Sequence, residues 1–390
     1  MKARVIAWIA VLLVAGCVLP ATAFGQSTPP CGGRTGTVFV NWPQFHYDPC
    51  HTGYNPNEFL LSSSTVASLA LHWKHSFNSG DIAVANGTVY AYELVGAADN
   101  VYALNATTGA QLWIYSTGGN IHGSSPAVAN GVVYFGSGDA NVYALNANTG
   151  TFIWKYTTGR YIDSAPAIAN GVVYIASADG YLYALNASSG ALNWKSSLGT
   201  YAGYPPAIAN GMVYVGADDD KVHALDAATG TPVWSFSTHG AFEGSPVVVN
   251  GVVYAGCDDG NVYALDATTG ALRWSYLTGG LVSRSPAVAN GIVYAGATDN
   301  KVYALNATTG SLLWTFTAGS FVIESPSVAN GVVYAGSGDN NLYALDATTG
   351  AYLAKYTAAG QIASSPVIVN GVVYFGAGDG YLYSLHLPGH

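Results

Sequence analysis

From Gly131 onward the chain repeats one pattern of apolar and polar positions. A short alternating stretch, SPxVxN, leads through Asn-Gly into the apolar run GVVYxG. A polar tip containing Asp follows, then the alternating xVYAL, a polar Asn/Asp-Ala-x-Thr-Gly turn and a stretch carrying Trp. Apolar runs this short, bounded by turn residues, predict strands, since a helix needs a longer stretch with a 3.6-residue period. Asn-Gly predicts a tight hairpin, because both residues tolerate positive φ. One period therefore predicts four antiparallel strands. The pattern returns from Gly171, Gly211, Gly251, Gly291 and Gly331, a spacing of 40 residues, and its opening half returns from Gly371. A looser copy begins at Gly87, with three extra residues before Val101.

Four short strands in about 40 residues make one propeller blade, which buries both faces only when neighbours stack on it. Strands carrying Trp occur at Trp73, Trp113, Trp154, Trp194, Trp234, Trp274 and Trp314, and once more around Ala354 without the indole. Asn-Gly openings also number eight, from Asn86 to Asn370. The chain begins with a lone fourth strand around Trp73 and ends after a third strand, Tyr381 to Leu385. The expectation is an all-β, eight-bladed propeller of four-stranded antiparallel blades, closed when the N-terminal outer strand joins the C-terminal blade. Seven blades with a degenerate arm is the alternative.

The unit GxVYALxAxTGxxxW, repeated eight times, closely resembles the PQQ-like (pyrroloquinoline quinone) repeat of eight-bladed β-propellers. Residues 41–56, NWPQFHYDPCHTGYNP, resemble the lead-in segment of secreted members of that family. The resemblance spans roughly residues 41–385 and is specific for fold. For function it implies two things, because the family includes calcium- and quinone-dependent alcohol dehydrogenases and also non-catalytic propellers, such as the lipoprotein of the outer-membrane barrel-assembly machinery. Fold does not choose between them.

Charge and targeting narrow the setting. Only 8% of residues are charged, and 12 basic against 21 acidic residues give a net charge of -9, which leaves no basic stripe for nucleic acid. Lys2 and Arg4, an apolar run from Val5 to Leu19 and the small residues after Pro20 predict a signal peptide over residues 1–23. Val14-Ala15-Gly16-Cys17 is also close to a lipoprotein cleavage box, which would place a lipid anchor on Cys17. The expected order is signal peptide, N-terminal arm 24–69, propeller 70–385 and tail 386–390. No later apolar run is long enough for a membrane helix. The protein is expected to be exported, whether secreted, periplasmic or held at the cell surface, and monomeric. In an oxidising compartment Cys31 and Cys50 are expected to form a disulfide, and Cys257 to be a buried small hydrophobe.

Residues recurring in every repeat are copied around the axis and so read as structural. The Trp series is expected to pack on the neighbouring blade and donate its N–H to backbone, and the Asp series, from Asp139 to Asp379, to cap hairpin tips. The sequons at Asn105 and Asn306 fall in turns where sibling repeats have Asp. Function is sought where repeats disagree, in the loops entering each first strand, which hold His122, Asp163, Tyr204, Glu243, Arg284 and Glu324. These six are the expected ligand-binding residues of an axial funnel, with Arg284 paired to Glu243 or Glu324. In quinone-dependent relatives an Asp, a Glu and an Asn near this position hold Ca²⁺, so the resemblance makes Asp163, Glu243 and Glu324 the metal ligands if the protein binds quinone. No two Cys are adjacent and no Trp stands in these loops, whereas many quinone-dependent relatives have a vicinal Cys pair over the cofactor. His46-x-Asp48-x-x-His51 reads as hydrogen-bonded packing ahead of a metal half-site.

The expected function is that of a binding or scaffold module with no catalytic residues and no cofactor. Its axial face would recognise an envelope or extracellular protein, a peptide or a glycan. The alternative is a dehydrogenase of alcohols or polyols that uses PQQ and Ca²⁺.

Overall fold

The structure, a computed structural model, describes residues 41–77, 80–93, 100–121 and 123–388. The expected signal peptide, Cys17, Cys31 and His122 lie outside the described residues. Eight sheets form the ring. Seven are continuous, at residues 83–116, 127–157, 167–197, 207–237, 247–277, 287–317 and 327–357, and the eighth joins residues 367–386 to Ala70–His75. The seven-blade alternative is excluded.

One blade serves for all. Ala127–Ala129 is innermost, followed outward by Val132–Gly136, Asn141–Asn146 and Phe152–Thr157. Asn130 and Gly131 make the hairpin with φ of 51° and 75°, the positive values the Asn-Gly pair supplies at least cost. The two middle strands are buried on both faces because each blade stacks on its neighbours, and this explains their nearly continuous apolar sequence. The outer strand is exposed except on its Trp side.

The blades are joined by a repeated hydrogen-bond node. Each of the seven indoles donates Nε1–H to an alanine carbonyl of the next blade, from Trp73 to Ala106 round to Trp314 to Ala347, at 2.9–3.1 Å. A Tyr hydroxyl from the second strand of the Trp's own blade donates to the same carbonyl, as Tyr90 does to Ala147 and Tyr374 to Ala106. The Thr-Gly turn completes the seat. A Cβ on Gly150 would stand 2.7 Å from the Trp113 ring, so glycine is required there by contact as well as by its φ of 68°. Ring closure uses the same node, with Ala70–His75 antiparallel to Tyr381–His386 and Trp73 reaching Ala106 in the first blade.

Asp139 does more than cap its hairpin. One carboxylate oxygen accepts the Asn141 N–H and the other accepts the Tyr143 hydroxyl, and this arrangement recurs at Asp259 and Asp339. Asn105 accepts two turn N–H groups, consistent with a structural role. Cys257 is free and fully buried, and its thiol, pushed up to about 11 by burial, faces the Gly240 carbonyl as sibling serines face theirs.

A second device closes the axis. The innermost strand of each blade turns amides to the channel, and a segment of the N-terminal arm runs past all eight, adding Tyr54–Asn55 to one of them, Ser327–Ala329, as a short parallel strand. Carbonyls of Trp42, Pro43, Pro49, Cys50, Thr52 and Gly53 accept from Val84, Val128, Ile208, Val248, Val288 and Val328 at 2.6–3.0 Å. The Gln44 side chain accepts from Ile168, and Asn55 donates to the Ile368 carbonyl. Positive φ at His46, Tyr47, His51 and Gly53 winds the chain tightly enough to do this. Asp48 holds the turn through the N–H groups of Cys50 and Thr52. His46 faces the His51 carbonyl, and His51 faces the Ser245 hydroxyl, so both imidazoles are packing groups; burial lowers the pKa of each. Cys50 is disulfide-bonded to a partner outside the described residues.

The node fails once. Ala354 lacks the indole, and the Tyr334 hydroxyl of that blade is buried with no partner. The groove is not open, however. Val66, in the short 3-10 turn Val66–Ser68, and Leu61 pack into this core with Leu69 and Ala354 at its margin, leaving a cavity of about 30 Å³. Ala354→Trp therefore has to displace the turn and should destabilise the protein by about 1–3 kcal/mol in denaturant unfolding. A stabilised variant would show that the turn is a loose cover.

Candidate functional site

The loops entering the innermost strands surround a cup of about 300 Å³ on the axis. Its position follows from the two devices above: the blade nodes fix the ring, and the arm shuts the channel with Phe45 at the bottom of the cup. Two adjacent loop positions supply most of the charge. Asp163 and Glu243 stand four residues before their innermost strands, and Tyr204, Arg284 and Glu324 stand three before theirs. All five line the cup, so the structure brings together five of the six expected residues.

A fifth charged group, Asp81, was missed. It also lines the cup, but the first blade lacks the Pro that marks this loop in its siblings, and Asp81 occupies the place that is Ser in five of the seven. That substitution was the available signal.

Among the described residues the lining carries four carboxylates, Asp81, Asp163, Glu243 and Glu324, against one cation, Arg284. The expected pairing of Arg284 is not formed. Ion pairs form at Asp219, Asp266 and Asp299, and among the described residues no carboxylate comes within ion-pair distance of Arg284. A guanidinium shared at longer range among several acids has no single partner to lock onto. Burial opposes its charge, but Glu324, Asp81 and Glu243 more than offset this and raise its pKa.

The acids differ in state. Burial pushes Glu324 up to about 7 against the pull of Arg284. Burial likewise raises Asp81, tempered by the Ser365 N–H at 2.7 Å, and raises Glu243, to which the neighbouring Asp258 carboxylate adds. Asp163 accepts the Tyr201 hydroxyl at 2.9 Å, and Tyr204 donates to Asp218 at 2.9 Å. Tyr92, Tyr201 and Tyr204 add aromatic wall.

Asp163, Glu243 and Glu324 share this wall without converging. Among the described residues no three of His, Cys, Asp and Glu form a group able to hold a metal ion, so these three acids do not by themselves make a carboxylate cage for calcium.

A family model described as outer membrane protein assembly factor BamB matches residues 97–201, 142–280, 178–314 and 277–387, together well over half of the chain. No curated protein matches. Among solved structures, BamB from Moraxella catarrhalis is 21% identical with a TM-score of 0.68, over 82% of this chain and 99% of its own. The quinohemoprotein alcohol dehydrogenase ADHIIG from Pseudomonas putida HK5 is 18% identical with a TM-score of 0.76, over 90% and 81%. A europium-containing methanol dehydrogenase is 15% identical with a TM-score of 0.76, over 89% and 98%. At these identities the likeness is one of fold. No helix among the described residues is long and apolar enough to cross a membrane.

The ionisation of Glu324 has a measurable consequence. Its folded pKa of about 7 exceeds its ordinary 4.5, so its contribution is fully present below pH 4.5 and is lost as pH rises toward and through 7. With solvent reaching the cup wall, the loss should be on the order of 2 kcal/mol. Glu324→Gln should remove it, so unfolding free energies of variant minus wild type should climb between pH 4.5 and 7.5. A difference that stays flat across this range would place the carboxyl in ordinary solvent.

Proposed function

The chain belongs to the PQQ-like repeat family described as outer membrane protein assembly factor BamB, and on that premise we propose that it is a non-catalytic binding module whose axial cup holds an envelope or extracellular protein. The observation that carries this reading is the one-ended cup, floored by Phe45 of the arm and walled by side chains that the repeats do not share. Recurrent residues are spent on joining blades. The residues free to differ are gathered at one mouth, where a partner can meet them.

The alternative, a dehydrogenase of alcohols using PQQ and Ca²⁺, has support in the fold of the dehydrogenase neighbours. It asks the cup to accept a polycarboxylate quinone beside four carboxylates and one arginine. Like charges in a low-dielectric recess oppose that. The acids also lack the convergence that would let a metal ion bridge them to the quinone.

The same reading takes residues 1–23 as a signal peptide, residues 24–69 as the arm and Cys31 as the partner of Cys50. The disulfide at Cys50 fits an oxidising compartment outside the cytoplasm. The working unit is a monomer.

The test is cross-linking and pull-down from the envelope and secreted fractions of the source organism. Wild type is compared with the triple change Asp163→Asn, Glu243→Gln, Glu324→Gln, which should fold and lose the captured protein. Purified protein supplied with PQQ and Ca²⁺ should reduce no dye with any of a panel of alcohols. Turnover of an alcohol, abolished by the triple change, would overturn the binding reading in favour of the enzyme.

A further inference from the structure

We infer that the cup takes an organic cation, a single guanidinium or ammonium group on an aliphatic stem, presented as an arginine or lysine side chain by a loop of the partner protein. This rests on the binding reading above and adds the chemistry of the ligand.

Four features point to a cation of that kind. The lining is formally three charges negative, four carboxylates against one guanidinium, and Asp218 and Asp258 extend the acidic field behind Tyr204 and Glu243. An anion or a carboxylate-bearing ligand is repelled, whereas a cation meets acceptors on several sides. Next, the acids are spread around the cup and do not converge. A divalent metal needs several oxygens within one coordination sphere, and no such group exists among the described residues. A guanidinium has five N–H donors pointing outward in a plane, and an ammonium has three, so dispersed acceptors suit them.

Phe45 at the floor and Tyr92, Tyr201 and Tyr204 on the wall supply aromatic faces, which attract organic cations and also receive an aliphatic stem. The fourth feature is an orphan. The Ser325 hydroxyl borders the cup, its residue is only 1% exposed, and it has no hydrogen-bond partner. A buried hydroxyl left unpaired is costly, and a donor-rich ligand would satisfy its oxygen.

Size limits the choice further. A recess of about 300 Å³ is at the small end of ligand pockets and suits one side chain better than a folded element or an oligosaccharide. The shut floor sets the depth of insertion. Because Glu324 is close to half-protonated at neutral pH, an arriving cation should also expel part of a proton from the cup.

The experiment is isothermal titration calorimetry of the full chain at pH 7. The probes are N-acetylarginine amide, N-acetyllysine amide, the neutral isostere N-acetylnorleucine amide, cadaverine, and a short uncharged-flank peptide with one central arginine. Saturable binding is expected for the cationic amides within ~10 mM. The peptide should bind at least ~10-fold tighter than cadaverine, and the isostere should not bind. Heats in two buffers of different ionisation enthalpy should reveal proton release. Glu324→Gln and Asp163→Asn should each weaken the arginine peptide about 10-fold. Arg273→Gln, outside the cup, should leave it unchanged.

Equal binding of isostere and cation, or no saturable binding of any cation, would overturn the inference. So would cadaverine binding with the peptide refused, because the source would then be a free diamine. The two readings fail separately. If no cation binds while capture of a protein still depends on the three acids, the binding module stands and the cation does not. If cations bind and no protein depends on the cup, the cation stands without the partner.

Discussion

Every blade of a propeller ends, at the axis, in an edge strand whose amides have no partner within the ring. Left open, eight such edges line a channel with unpaired donors. Here the arm answers them, with acceptors from Trp42 to Gly53 meeting the central amide of seven blades and Asn55 meeting a carbonyl of the eighth. Hydrogen bonds worth about 1 kcal/mol net apiece do not by themselves hold such a segment, since ordering backbone costs roughly 1–2 kcal/mol per residue. Burial of Trp42 and Phe45 and the disulfide at Cys50 act in the same direction as the hydrogen bonds. The consequence is geometric: what would be a through-channel becomes a cup with one mouth.

That constraint separates two kinds of residue. Trp, Tyr, Ala and Gly of the interblade node repeat because every blade needs the same bond to the next. The entry loops make no such repeated bond, so Asp163, Tyr204, Glu243, Arg284 and Glu324 are free to differ from their siblings. Their differences meet at the mouth of the cup. There burial raises carboxyl pKa values, and a single arginine stands among acids without a close partner. An excess of negative charge, kept out of bulk water and not drawn together by a metal, favours organic cations over anions and divalent ions.

The fold was legible because its determinants recur. The Asn-Gly hairpins occur eight times and the Trp strands seven, the chain ends complement each other once, and each appears in the structure where its spacing placed it. The site was legible only in part. Comparing sibling loops found five of the cup's charged or polar residues, but Asp81 escaped because its loop lacks the marker Pro. The arm escaped as well. Its bonds are made by backbone carbonyls to strands far along the chain, and nothing in WPQFHYDPCHTGYNP states which amides they meet. Likewise Ala354 announced a missing indole, but not that Val66 and Leu61 had taken its place.

The most direct measurement is hydrogen exchange at the axial amides of Val84, Val128, Ile168, Ile208, Val248, Val288 and Val328 in the full chain. If the arm shuts the channel, these amides should exchange as slowly as those of the second strands and be released only with global unfolding. Rapid exchange at these seven positions, with the second strands still protected, would mean an open channel and would contradict the account.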